Sequence, residues 1–167
     1  MRRSRMFLAM TVAAASLVLA GCAQPAPTES ADHLGLRVAQ ILEVTRDALG
    51  DGYFSFYHFG PSECQVRDGG ADGVFWKVVL TNPEAAALTD DQIHYLTEKW
   101  DGLGLDVTVD RTGIGDGVLE LKGTPADPDA AYIEAQVSVI TSGGSRGNAS
   151  IISSCVPGNI EDFAGEN

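Results

Sequence analysis

Between His33 and Leu49, apolar residues recur mostly at three- and four-residue steps, at Leu34, Val38, Ile41, Leu42, Val44 and Leu49. That is the stripe of an amphipathic helix, which Ser30 or Asp32 can cap and Gly50 can close. Tyr53–Phe59 is dense in aromatics and reads as a strand, followed by a gap rich in Gly and Asp from Asp68 to Gly73. Val74–Leu80 is almost wholly apolar, the pattern of a strand covered on both faces. Thr89 and Gln92 stand as a capping box. The helix they open carries Ile93, Leu96 and Trp100 on one side and ends near Gly102. Leu105, Val107 and Val109 alternate with Asp106, Thr108 and Asp110, as in a strand with one wet face. After a glycine-rich turn from Arg111 to Gly117, Val118–Lys122 returns as a strand, and Thr124–Ala130 is a loop with Pro125 and Pro128. Ile133–Val139 alternates again. Beyond a turn from Ser142 to Asn148, Ile151 and Cys155 share a parity in the last strand. The polar stretch from Pro157 reads as a loose tail. Helix, strands, helix and then four strands on short turns predict an α+β domain of two layers. Its sheet is mainly antiparallel, with both helices packed on one face.

Ahead of this domain, Arg2, Arg3 and Arg5 precede an apolar run of 15 residues from Met6 to Ala20. A helix of that length rises about 22 Å, short of a hydrocarbon core of about 30 Å, so the run fits the apolar part of a signal peptide. It ends in Leu19-Ala20-Gly21-Cys22, which resembles the lipobox of bacterial lipoproteins at every position. The resemblance implies that the Cys22 sulfur receives a diacylglyceryl group and that signal peptidase II, recognising Leu19, Ala20 and Gly21, cuts before Cys22. An ordinary secretory signal followed by a chance cysteine is the alternative. Ser4-Arg5-Met6 departs from the twin-arginine pattern, leaving the general secretory route. Two or more acyl chains hold a protein stably at a membrane, which would place this one on the outer face of the cell membrane. The expected organisation is a signal peptide over 1–21, lipidated Cys22 and a proline-containing tether over 22–31, a single domain over 32–156 and a tail over 157–167. The order of elements around the two later cysteines is also similar to that of small actinobacterial lipoproteins.

The net charge of −12 becomes −15 once the three arginines of residues 1–21 are removed. Nucleic acid, whose phosphates need Lys and Arg, is thereby excluded as a partner, and anionic headgroups repel the domain. The membrane is met through the Cys22 acyl chains, and the remaining partner classes are an envelope protein or a small ligand. Cleavage before Cys22 leaves 146 of the 167 residues, a usual size for one domain. With Cys22 lipidated, Cys64 and Cys155 are an even pair in an oxidising compartment and are read as a disulfide, with two buried free thiols as the alternative.

No catalytic, metal or cofactor site is expected. Gly143-Gly144-Ser145-Arg146-Gly147 matches G-x-S-x-G. A nucleophile elbow joins a strand to a helix and is followed by a histidine, whereas here two strands flank the motif and the last histidine is His94. His33, His58 and His94 lack metal spacing. The Asp/Gly clusters at 68–73 and 110–117 are accounted for by turn chemistry. The aromatics from Tyr53 to Phe59 are the unassigned feature: alternation puts Tyr53, Tyr57 and Phe59 on one side, as core or as a patch for a ligand or partner. The expectation is a non-catalytic, lipid-anchored binding or accessory module. The alternatives are a carrier of a small apolar ligand and a small lipid-anchored hydrolase.

Overall fold

The computed structural model of the chain describes residues 29–55, 60–66, 72–111, 118–128, 130–141 and 146–163. Two helices, α1 (Ala31–Leu49) and α2 (Asp90–Gly102), lie with eight strands: β1 (Phe54–Ser55), β2 (Pro61–Gln65), β3 (Asp72–Asn82), β4 (Leu105–Asp110), β5 (Val118–Pro125), β6 (Ile133–Ile140), β7 (Arg146–Ser153) and β8 (Val156–Pro157). All strand pairs are antiparallel, and the main path across the sheet is β1-β3-β7-β6-β5-β4. This is the expected α+β architecture.

Both helices begin on side-chain caps. The Ser30 hydroxyl accepts the His33 amide at 3.3 Å, so Ser30 rather than Asp32 starts α1. Gly50, at φ +70°, ends it by donating to the Arg46 carbonyl at 2.9 Å, a conformation that costs glycine nothing. In α2 the Thr89 hydroxyl accepts the Gln92 amide and the Gln92 carboxamide accepts the Thr89 amide. The other end of that carboxamide donates to the Ala48 carbonyl at 2.7 Å, joining the start of α2 to the end of α1.

Inward-facing residues of the sheet, among them Val78, Leu80, Leu121, Ile133, Val137 and Ile151, meet Leu34, Val38 and Ile41 of α1 and Ile93, Leu96 and Trp100 of α2. Two glycines set how closely the layers approach. A Cβ on Gly35 would lie 2.8 Å from the Trp76 ring, and one on Gly123 would lie 3.0 Å from the Trp100 ring. Each indole thus occupies the space that a side chain on the facing element would need. The Trp100 Nε1–H donates to the buried Thr45 hydroxyl at 3.2 Å, which in turn donates to the Ile41 carbonyl at 2.6 Å.

Strand β3 is the spine of one half of the sheet. Its second half pairs with β1 and β7 and its first half with β2 and β8. Lys77 faces Ile152 whereas Val74 faces Val156, so the strand running from β7 into β8 carries one residue more than β3 across from it. This is a β-bulge. The Ser153 hydroxyl accepts the Trp76 amide there at 2.9 Å. The bulge also overturns the expected shared parity, because Ile151, Ser153 and Val156 are buried and Cys155 is half-buried. Cys155 forms a disulfide with Cys64 of β2 across 91 residues of chain. The bridge passes over β3 at Gly73, the register partner of Cys64, where an added Cβ would sit 2.7 Å from the Cys155 sulfur.

Other boundaries differ from expectation for identifiable reasons. Among the described residues, Val74–Leu80 is covered on one face only: both helices lie on the side of Val74, Trp76, Val78 and Leu80, while Lys77 is exposed and Phe75 and Val79 are half-buried. Of the aromatic segment, Phe54–Ser55 forms strand, and 56–59 lies outside the described residues. Strand β5 runs on to Pro125, which faces Leu105. Strand β7 begins at Arg146, inside the expected turn, because its inward residues Gly147 and Ala149 are too small to mark a strand by bulk. The packed chain also passes residue 156. Pro157 is in β8, and a 3₁₀ turn at Ile160–Phe163 sets the Phe163 ring edge-on to Trp76, with centroids 5.6 Å apart.

Candidate functional site

With both helices on one side, the other face of the sheet is uncovered among the described residues, and pairing register arranges its side chains in rows. Lys77, Ile152 and Glu134 lie level across β3, β7 and β6. The next row is Val79, Ser150, Gln136, Lys122 and Thr108, and the one after it Thr81, Asn148, Ser138, Glu120 and Asp110. Phe54 extends that third row from β1, and Arg146, Ile140 and Val118 form a fourth. The alternation that buries one side of each strand puts these residues on the other.

One hydrogen-bonded group holds the margin of this face. The Tyr132 hydroxyl donates to Glu134 Oε2 at 2.6 Å, and Lys122 Nζ approaches the same oxygen at 2.8 Å. Lys122 reaches Glu134 diagonally, since its direct partner is Gln136. The hydrogen bond from Lys122, joined by that from Tyr132, holds the Glu134 carboxyl below its ordinary value, and its bond to Glu134 raises the Lys122 ammonium. The Tyr132 phenol is likewise raised, first by its bond to the Glu134 carboxylate. All three groups move away from neutrality, so the cluster is a fixed ion pair with an oriented ring and has no proton to exchange near pH 7. The Tyr132 ring is left 45% exposed on the open face, between the buried Ala131 and Ile133.

Charge is unevenly shared over the molecule. The open face carries Lys77, Lys122 and Arg146 against Asp106, Asp110, Glu120 and Glu134, near balance in a chain of net charge −12. At its centre, the side chains of Ser150, Gln136, Ser138 and Asn148 make no hydrogen bond to other described residues.

The residues singled out from sequence fall in different places. Tyr53 is half-buried on the helix side of the sheet, against Gly147 and Ala85. Burial raises its phenol, and its hydroxyl finds no hydrogen-bond partner among the described residues. Its neighbour Phe54 points the other way and is 47% exposed, while Tyr57 and Phe59 lie outside the described residues. Leu19, Ala20, Gly21 and Cys22 also lie outside them, as do His58 and Ser145 of the G-x-S-x-G motif. The described end of that motif, Arg146–Gly147, begins a strand, whereas a nucleophile elbow opens a helix. His33 pairs with Glu29 at 2.7 Å, and His94 is exposed on α2. Among the described residues no group of three His, Cys, Asp or Glu comes together as metal ligands, and no helix is long and apolar enough to cross a membrane. Tyr132, Gln136 and Asn148 were not signalled as a site, because each is a single residue in a strand pattern and only the register brings them to one surface.

Comparison of the chain with protein-family models, curated proteins and solved structures finds no match.

Proposed function

We propose that this protein is a lipid-anchored extracytoplasmic lipoprotein whose single domain is a non-catalytic binding or accessory module at the outer face of the cell membrane. The Cys64–Cys155 disulfide carries the reading. Structural disulfides persist in oxidising compartments, and this one leaves Cys22 as the single remaining cysteine, at the last position of Leu19-Ala20-Gly21-Cys22 behind a basic and apolar leader. The uncovered polar face supports the binding role, since it offers side chains to a partner without the convergent, near-neutral titratable groups of an acid–base centre.

Intact-mass measurement of the membrane-extracted full chain after expression in a bacterium tests the anchor. Loss of residues 1–21 together with the added mass of a diacylglyceryl group on Cys22 is the expected result. Cys22→Ala should stop that processing and leave no acylated mature form. A chain with Met1 attached and an unmodified Cys22 thiol would overturn the proposal.

A further inference from the structure

We infer that the open face of the sheet binds an extended neutral glycan, with the Tyr132 ring as its stacking platform, an inference that rests on the binding-module reading and names its ligand class. Protein–protein interfaces have a dry, apolar centre and a polar rim. This face has the reverse arrangement. Its centre is Ser150, Gln136, Ser138 and Asn148, while the rings of Tyr132 and Phe54, 45% and 47% exposed, stand at opposite margins. Phe54 is level with Ser138, six residues along β6 from Tyr132 and three strands across. Strand rise and spacing separate the two rings by about 25 Å, a span of several sugar units.

Sugar rings match this order of groups. Their C–H faces stack on exposed aromatics, and their hydroxyls both donate and accept, as do the carboxamides of Gln136 and Asn148 and the hydroxyls of Ser138 and Ser150. The bond from the Tyr132 hydroxyl to Glu134 fixes the ring before any ligand arrives, which lowers the ordering cost of binding. Charge points the same way. The face is near balance while the rest of the chain is strongly acidic, so an anionic polymer is repelled by the molecule and a cationic one finds better surfaces elsewhere. The run of polar groups between the two rings favours an extended, ribbon-like β-1,4-linked chain over a coiled one.

The test is titration of the detergent-solubilised full chain with chitohexaose and, separately, cellohexaose, followed by calorimetry. Binding of either hexamer is expected, and the better one tells whether the ligand carries acetamido groups. Tyr132→Ala should weaken binding about tenfold, the worth of one ring contact. Tyr132→Phe, which keeps the ring but frees it from Glu134, should weaken binding less than Tyr132→Ala does, and Gln136→Ala should weaken binding severalfold. Arg46→Ala, on α1 away from the face, should change nothing. Failure of both hexamers to bind, or binding by Tyr132→Ala and Gln136→Ala as tight as by the unmodified chain, would overturn the inference. The mass of acylated Cys22 in the same preparation reads the anchor independently, so a failure of the ligand class is distinct from a failure of the anchor.

Discussion

Breaking the Cys64–Cys155 bridge should cost this domain a large share of its stability, and the cost can be worked from the loop it closes. The cysteines are 91 residues apart, for which the chain-entropy relation gives about 4.6 kcal/mol. In a domain of this size each kcal/mol moves the midpoint by about 3–5 °C, so the melting temperature should fall by roughly 14–23 °C. Thermal and urea unfolding followed by circular dichroism, with and without dithiothreitol, measure it. Cys64→Ala, Cys155→Ala and the double variant should all melt at one temperature, shared by the reduced unmodified chain, because the loss belongs to the pair. The loss should also be local at first: amides of β2 and of the first half of β3 should lose hydrogen-exchange protection before those of β5 and β6, which no bridge ties. If reductant leaves the midpoint unmoved, or if the two single losses add in the double variant, the two cysteines act independently and the reasoning fails.

Three further outcomes follow from the packing. Gly73→Ala puts a methyl 2.7 Å from the Cys155 sulfur and 2.8 Å from the Val156 carbonyl oxygen, and should cost about 1–3 kcal/mol while raising the free-thiol count read with Ellman's reagent. Thr45→Val removes the acceptor of the buried Trp100 Nε1–H and should cost about 1–3 kcal/mol in urea unfolding, with Thr45→Ser retaining the hydrogen bond. Glu134, lowered in the folded state, contributes stability that is complete above its unfolded value of about 4.3 and is lost as pH falls through the lower folded value; Glu134→Gln should flatten that acid limb, whereas the raised Lys122 and Tyr132 give stability that is lost only above about pH 10.

Where a local signal existed, the elements could be read in advance. Both helices carry their caps in sequence, Ser30 and Gly50 for one and Thr89 with Gln92 for the other, and Ile93, Leu96 and Trp100 are all buried as their spacing requires. Alternation likewise located the strands at 105–110 and 133–140. Elements without such a signal were missed. Pro61–Gln65 has no apolar alternation and is held against β3 by pairing and by the distant Cys155. The sidedness of Val74–Leu80 was invisible because an unbroken apolar run looks the same whether one face or two are covered. Candidate patch residues fared the same way: aromatic density drew attention to Tyr53, whose hydroxyl is buried, while Tyr132 stands alone in its segment and gains its place only through Glu134 and Lys122.

The proposed anchor and the open face meet the domain from different sides, because of the way the described chain enters it. Glu29, just ahead of the Ser30 cap, takes the Arg37 guanidinium on both carboxylate oxygens at 3.2 and 2.9 Å and the His33 imidazole at 2.7 Å. The chain is therefore fastened to α1 from Glu29 onward, and its entry lies beside β8, where a Cβ on Gly158 would be 3.1 Å from that of Ala31. Six residues, 23–28, separate the proposed acyl site from this fastening, and the seven steps from Cys22 to Glu29 reach at most about 24 Å. Because α1 lies on the covered side of the sheet, the described chain enters the domain on the side opposite the rows of Gln136 and Asn148. On the proposed anchoring, acyl chains on Cys22 would hold the domain to the bilayer while its net negative charge keeps it off anionic headgroups, with the near-balanced face of the sheet turned to the envelope.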